Sequence, residues 1–108
     1  MKIENKVREI IEKVLVQNGF TLHSIILFGS RARGDFNKGS DFDILVIVKE
    51  EISIKEKREL RIKISVALHN EIQFVPFDII VKSLRNYEQE KEVANTISKV
   101  ASLEGIEL

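Results

Sequence analysis

Asp41 and Asp43 stand one residue apart at the head of the most apolar segment of the chain, residues 41–48. Side chains alternate faces along a strand, so the two carboxylates point the same way, roughly 7 Å apart. Side by side at the head of a buried strand they repel each other. A cation between them relieves that repulsion, and Mg²⁺ is the usual guest of hard oxygen donors. Upstream, another apolar run ends at Phe28 and leaves through Gly29-Ser30. Gly29 lets backbone approach closely, Ser30 suits the N-cap of a short helix, and free N–H groups there suit a phosphate. If the turn and the acids serve one site, the exit of one strand lies beside the entrance of the next, and the two strands run antiparallel.

The rest of the chain is read around that pair. Ile3, Val7, Ile10, Ile11, Val14 and Leu15 recur at helical spacing, which predicts an amphipathic helix over 2–17, stopped by Asn18-Gly19. Residues 23–28 form the first strand, buried on both faces. Residues 30–33 are one helical turn with Gly34 as its C-cap, and 35–40 are a polar loop. A second amphipathic helix over 53–70 turns Leu60, Ile64, Ala67 and Leu68 inward. The third strand covers 74–81, with Pro76 near its start, where a missing N–H is tolerated. A short helix over 84–90 and a final helix over 91–103 follow. Gly105 caps the latter and 106–108 are an extended tail. The long helix between the second and third strands suits a right-handed crossover to a parallel third strand. The expected fold is α/β (α+β): a small mixed sheet of about three core strands packed with helices, in one domain over 1–108.

Asp78 is the third acid of interest, inside the apolar run Phe77-Asp78-Ile79-Ile80-Val81. An acid there is either exposed on an edge or serving a site. With the third strand parallel to the second, Asp78 can lie beside Asp41 and Asp43. Three carboxylates then converge on a metal pair opposite the Gly-Ser turn, a layout for in-line displacement at a nucleotide phosphorus. Taken singly, Asp41 reads as a strand-entrance turn residue and Asp43 as an exposed strand position; together with Gly29-Ser30 and Asp78 they read as a site.

Composition excludes several classes. The 17 basic and 17 acidic residues cancel, so no global field draws the chain onto nucleic acid or an anionic membrane. A local basic patch around Arg31, Arg33 and Lys38 is compatible with that balance. With no cysteine, disulfides, thiol nucleophiles and thiolate metal sites are excluded. The charged amphipathic N-terminus does not read as a signal peptide, and no apolar run is long enough to span a bilayer, so a cytoplasmic location is expected. There is no GxxxxGK[ST] and no HExxH. His23 and His69 show no metal-site spacing, and nothing places either beside Ser30 as a base. Tyr87, the one tyrosine, reads as a partly buried aromatic rather than an acceptor. The basic run over 55–63 reads as a solvated helix face.

Gly29-Ser30, ten residues, then Asp41-x-Asp43 resembles the signature of the polymerase-beta-type nucleotidyltransferase superfamily. The short length, GSRARG, SDFD, the later PFDIIV and the closing SLEGIEL resemble its smallest branch, the minimal nucleotidyltransferases. Leu108 stands where that branch commonly has an aromatic residue. The resemblance implies a metal-dependent transferase moving a nucleoside monophosphate from a triphosphate onto a hydroxyl. Many members of the branch resemble antitoxins that place AMP from ATP on a tyrosine of an all-helical HEPN ribonuclease toxin. Carried over by motif, Gly29 and Ser30 bind the triphosphate. Asp41, Asp43 and Asp78 hold the metals, two Mg²⁺ ions, and Asp78 also acts as base. Arg31 and Arg33 stand beside them as phosphate or partner contacts, weighed evenly against solvated turn arginines.

Two other functions fit the residues. One is a binding module that neutralises its partner by contact, with the acids retained but unused. The other is a transferase with a small-molecule acceptor, against which the absence of residues for an acceptor domain weighs. A chain this small also suggests an oligomer, with the first and final helices as candidate interfaces because both have broad apolar faces.

Overall fold

The computed structural model describes residues 3–35, 37 and 39–108. Helix α1, Ile3–Gln17, buries Val7, Ile10, Ile11, Val14 and Leu15, the stripe its spacing predicts. Lys2, expected in that helix, and Lys38 lie outside the described residues. Strand β1 is Leu22–Phe28, α2 is Ser30–Arg33 and β2 is Phe42–Val48. Helix α3, Ile54–Glu71, begins one residue later than expected because Ser53 is its N-cap. There Ser53 Oγ accepts from the Glu56 N–H (3.1 Å) and Glu56 Oε1 accepts from the Ser53 N–H (3.0 Å), a reciprocal capping box. Strand β3 is Phe77–Ser83, followed directly by α4, Leu84–Glu90, then α5, Ile97–Glu104, and β4, Ile106–Glu107.

The sheet order is β3-β2-β1-β4. As expected, β1 and β2 are antiparallel and β2 and β3 are parallel. The expected tail is a fourth strand: Ile106 and Glu107 pair with Leu27 and Ile26. Leu108 holds it there, its N–H donating to Ile25 O (2.8 Å) and its carbonyl accepting from Arg8 Nη1 (2.7 Å). Two residues carry little strand signal of their own, so the pairing is a tertiary result.

Alternation divides the core. Ile25, Leu27, Ile44, Val46, Val48, Ile79 and Val81 pack against α1 and α3. Phe28, Leu45 and Ile47 pack with Tyr87 of α4 and Ala101 of α5 on the other face. Central β2 is fully buried from Ile44 to Val48, as a parallel-paired strand covered on both sides requires. No described helix is long and apolar enough to cross a membrane.

Two boundaries differ from expectation by three residues or more. The third strand begins at Phe77, not at 74, because Phe74 takes a left-handed conformation (φ 64°) and Pro76 has no N–H to give. The final helix begins at Ile97, not at 91. Asn95 is left-handed (φ 67°), and Thr96 caps the helix, accepting from the Lys99 N–H (3.1 Å). The broad apolar face of α1, one of the two candidate interfaces, packs into the core. On α5, by contrast, Ile97, Val100 and Leu103 stay exposed.

Candidate functional site

Strand β1 delivers the chain to Gly29, whose backbone lies at φ 74°, ψ −158°. In antiparallel register Phe28 faces Asp43, and the Asp43 carboxylate lies against the Gly29 α-carbon where any Cβ would collide with Oδ2. Only glycine leaves room for that approach. Ser30 is the first helical residue of α2, not its N-cap. The cap is Gly29, and no side-chain capping bond is made. The reason is Gly29's positive φ: the chain turns one residue earlier than a serine cap would require. Gly34 closes α2 in the left-handed conformation (φ 83°), as expected.

On the other side of β2, Asp43 is paired in register with Asp78 of β3, about 5 Å away between backbones. Asp43 is half-buried and Asp78 exposed. Asp41 precedes β2 by one residue and is exposed. Burial first, then the charges of Asp78 and Asp41, push the Asp43 carboxyl above its ordinary range, and Arg33 partly offsets them. The three acids expected from the sequence are therefore electrostatically coupled around Asp43.

The arginines are engaged inside the fold. Arg31 Nε and Nη2 both donate to Ser40 O (3.2 and 3.0 Å), and its guanidinium lies 4.3 Å from the centre of the Phe42 ring. Phe42 in turn sits 5.5 Å from Phe77, which meets His69 edge-on at 6.5 Å. Arg31 thus fastens the loop that delivers Asp41. Arg33 Nε donates to Asp35 Oδ2 (3.2 Å) and its Nη1 to Glu104 Oε1 (3.0 Å), contacts that raise its pKa.

Glu104 is the residue that sequence reasoning missed. From the end of α5 it accepts from both Arg33 Nη1 and the Gly29 N–H (3.3 Å). The Gly29 N–H, expected to be free for a phosphate, is therefore occupied in this conformation. A glutamate 75 positions from its partner gives no local signal; only its place in SLEGIEL sets it apart.

Among the described residues no three acidic or histidine side chains are already gathered into a metal cage. Mg²⁺ does not ask for one: it takes one or two carboxylates and completes its shell with water and substrate phosphates. A set of carboxylate oxygens whose central member is held above its normal pKa by its neighbours fits such an ion, because a dication removes that repulsion.

A mixed sheet with a glycine turn abutting a strand-head aspartate, and a second aspartate in register beside it, defines a nucleotidyltransferase-type domain. The chain belongs to the nucleotidyltransferase domain family, whose profile matches residues 6–100. It is similar to a protein of Methanocaldococcus jannaschii whose name proposes a protein adenylyltransferase, 52% identical over 39 residues, which are 36% of this chain and 39% of that protein. The match thus spans about two-fifths of that relative's length. Among solved structures, the chain resembles a mutant of the toxin–antitoxin MntA-HpeT at TM-score 0.60 and 26% identity, covering 100% of this chain and 72% of that one. It also resembles a toxin–antitoxin with AMP-PNP at TM-score 0.56 and 25% identity, covering 92% of this chain and 69% of that one.

Proposed function

We propose that this protein transfers AMP from ATP to a hydroxyl on a partner protein, a tyrosine of a HEPN-type ribonuclease toxin, and acts as its antitoxin. The observation that carries the reading is the line across the sheet head: the Gly29 turn against Asp43, and Asp43 in register with Asp78. Family membership supports the transfer chemistry. The bound AMP-PNP of one structural neighbour supports an adenosine triphosphate donor, and the toxin–antitoxin pairs support the partner class.

In this reading Gly29 and Ser30 receive the triphosphate, with Glu104 giving up the Gly29 N–H to it. Asp41 and Asp43 hold the two Mg²⁺ ions together with Asp78. Bound there, the metal would supply charge neutralisation at the phosphates and a lowered pKa at the attacking hydroxyl. The acceptor oxygen bonds to the α-phosphorus, the bond from that phosphorus to the bridging oxygen breaks, and pyrophosphate departs. Asp78, the more solvent-open of the coupled pair, takes the hydroxyl proton. Arg31 acts through the loop it fastens, and Arg33 faces the phosphates once released from Glu104.

The test supplies Mg²⁺, the partner, and ATP labelled at the α- or the γ-phosphate. Stable α-label on the partner, lost with Asp43→Ala, is the expected result. γ-label alone means phosphoryl transfer and overturns the reading. Partner retention without α-label means inhibition by contact.

A further inference from the structure

The Gly29 turn reaches Asp43 from the β1 side, so a triphosphate seated on it leaves the β3 side of the site for the second substrate. β3 is one of the two edge strands of the sheet and Asp78 is exposed on it. Alongside runs α3, and between helix and strand lie two clefts of about 280 and 290 Å³, both reaching Asp78 and Arg61. Their walls carry Lys57, Arg58 and Arg61, and beside them Ile62 and Val66, which remain 52% and 53% exposed.

This wall is unbalanced in charge. Asp78 is the one acidic residue in either lining, reached around the open edge of β3, since Ile79 and Val81 take the face toward α3. Among the described residues the side chains of Lys57, Arg58 and Arg61 make no ion pair or hydrogen bond, whereas Lys82, Arg85 and Lys91 each meet a glutamate. In a chain of zero formal charge, three unmatched cations beside half-exposed aliphatic side chains are a local excess. The basic run that the sequence presents as a solvated face borders the site.

We infer that the α3–β3 edge is the docking surface for an acidic, partly apolar segment of a partner protein, which brings its hydroxyl to Asp78. Acidic side chains of that segment meet Lys57, Arg58 and Arg61, and its apolar residues cover Ile62 and Val66. Charge complementarity raises the encounter rate and fixes register. Covering the aliphatic pair removes water from the α3 side of the β3 edge. The role of the hydroxyl rests on the transfer reaction proposed above; the docking itself does not.

The probe is a random copolymer of glutamate and tyrosine, with a lysine–tyrosine copolymer as its opposite. Binding is read by fluorescence anisotropy with the full chain carrying Asp43→Ala, so that no turnover intervenes. The acidic copolymer is expected to bind and the basic one not to. Arg58→Glu with Arg61→Glu should weaken binding at least tenfold, and alanine at the same positions should weaken it less in the same direction. Lys13→Glu with Lys49→Glu, exposed cations elsewhere, should leave it within twofold. Charge reversal at 58 and 61 without effect overturns the docking surface. So does an equal loss in ATP affinity, which would assign the cations to the nucleotide. The native chain with α-labelled ATP then separates the two readings. Charge-dependent binding with no label on the copolymer or on the partner leaves the docking surface standing and sinks the transfer reaction.

Discussion

The carboxylate of Asp43 rests on the bare α-carbon of Gly29, in the space a Cβ would fill. One contact thereby couples the turn at the end of β1 to the acid at the head of β2. Replacing Gly29 by alanine costs about 1–3 kcal/mol in a backbone region that is essentially glycine-only and drives the carboxylate off its position. Gly34, also at positive φ, has nothing within 4 Å of the place a methyl group would take. Gly34→Ala should therefore cost about 1–2 kcal/mol in denaturant titration but keep the proposed AMP transfer within about threefold, while Gly29→Ala loses at least about a hundredfold. Equal activity in the two variants would show that the contact has no catalytic consequence.

Asp43 is held above its ordinary pKa by burial and by the charges of Asp78 and Asp41. The folded chain therefore binds that proton more tightly than the unfolded one. Stability falls as pH rises from the unfolded carboxylate value through the raised folded value, and the deficit persists to neutral pH. Asp43→Asn should raise the melting temperature at neutral pH, with the gain shrinking below the unfolded carboxylate pKa, and should abolish the proposed transfer. A variant less stable than wild type at neutral pH would contradict the electrostatic account.

Glu104 joins α5 to the turn through the Gly29 N–H and Arg33. The pair is partly exposed, so the Arg33–Glu104 coupling in a double-mutant cycle is expected to be small but non-zero. Glu104→Ala should lose somewhat more in total than Arg33→Ala, because it also drops the backbone contact. Equal losses, with zero coupling, would reduce the contact to surface decoration.

Ser53 and Glu56 cap α3, the helix that carries the basic edge beside Asp78. Ser53→Ala removes the acceptor for the Glu56 N–H and should destabilise the protein by about 1 kcal/mol in urea titration. Ser53→Asp, which keeps an acceptor at the N-cap, should restore most of that loss.

A buried residue of β2 tests the core on which both halves of the site stand. Ile47 is fully buried against Tyr87 and Ala101, and Ile47→Ala should cost about 2–5 kcal/mol in the same titration. A loss under about 1 kcal/mol would mean that α4 and α5 collapse onto the gap.

The elements of this fold were legible where the signal is local. The apolar stripe of α1 and the 30–33 turn with Gly34 follow from periodicity and glycine chemistry within a few residues. Strand directions were legible too, because one site cannot use Gly29 and Asp41 unless β1 and β2 oppose. Asp43 beside Asp78 then follows from a parallel crossover. The starts of β3 and α5 were misplaced because Phe74 and Asn95 adopt left-handed backbone that nothing in their neighbours announces.

What the sequence alone determined is the set of reactive groups and their order: the glycine turn, the paired acids, the third acid and the absence of any thiol. Which of those groups are free was decided only by the tertiary structure. Folding returns the C-terminal strand to β1, sets Glu104 on the Gly29 N–H and Arg33, locks Arg31 onto Ser40 and Phe42, and leaves Lys57, Arg58 and Arg61 unmatched at the sheet edge. Hydrogen bonds and ion pairs depend on separations of a few ångströms between residues far apart in the chain. A one-dimensional pattern carries the chemistry of each group but not its distance from the others.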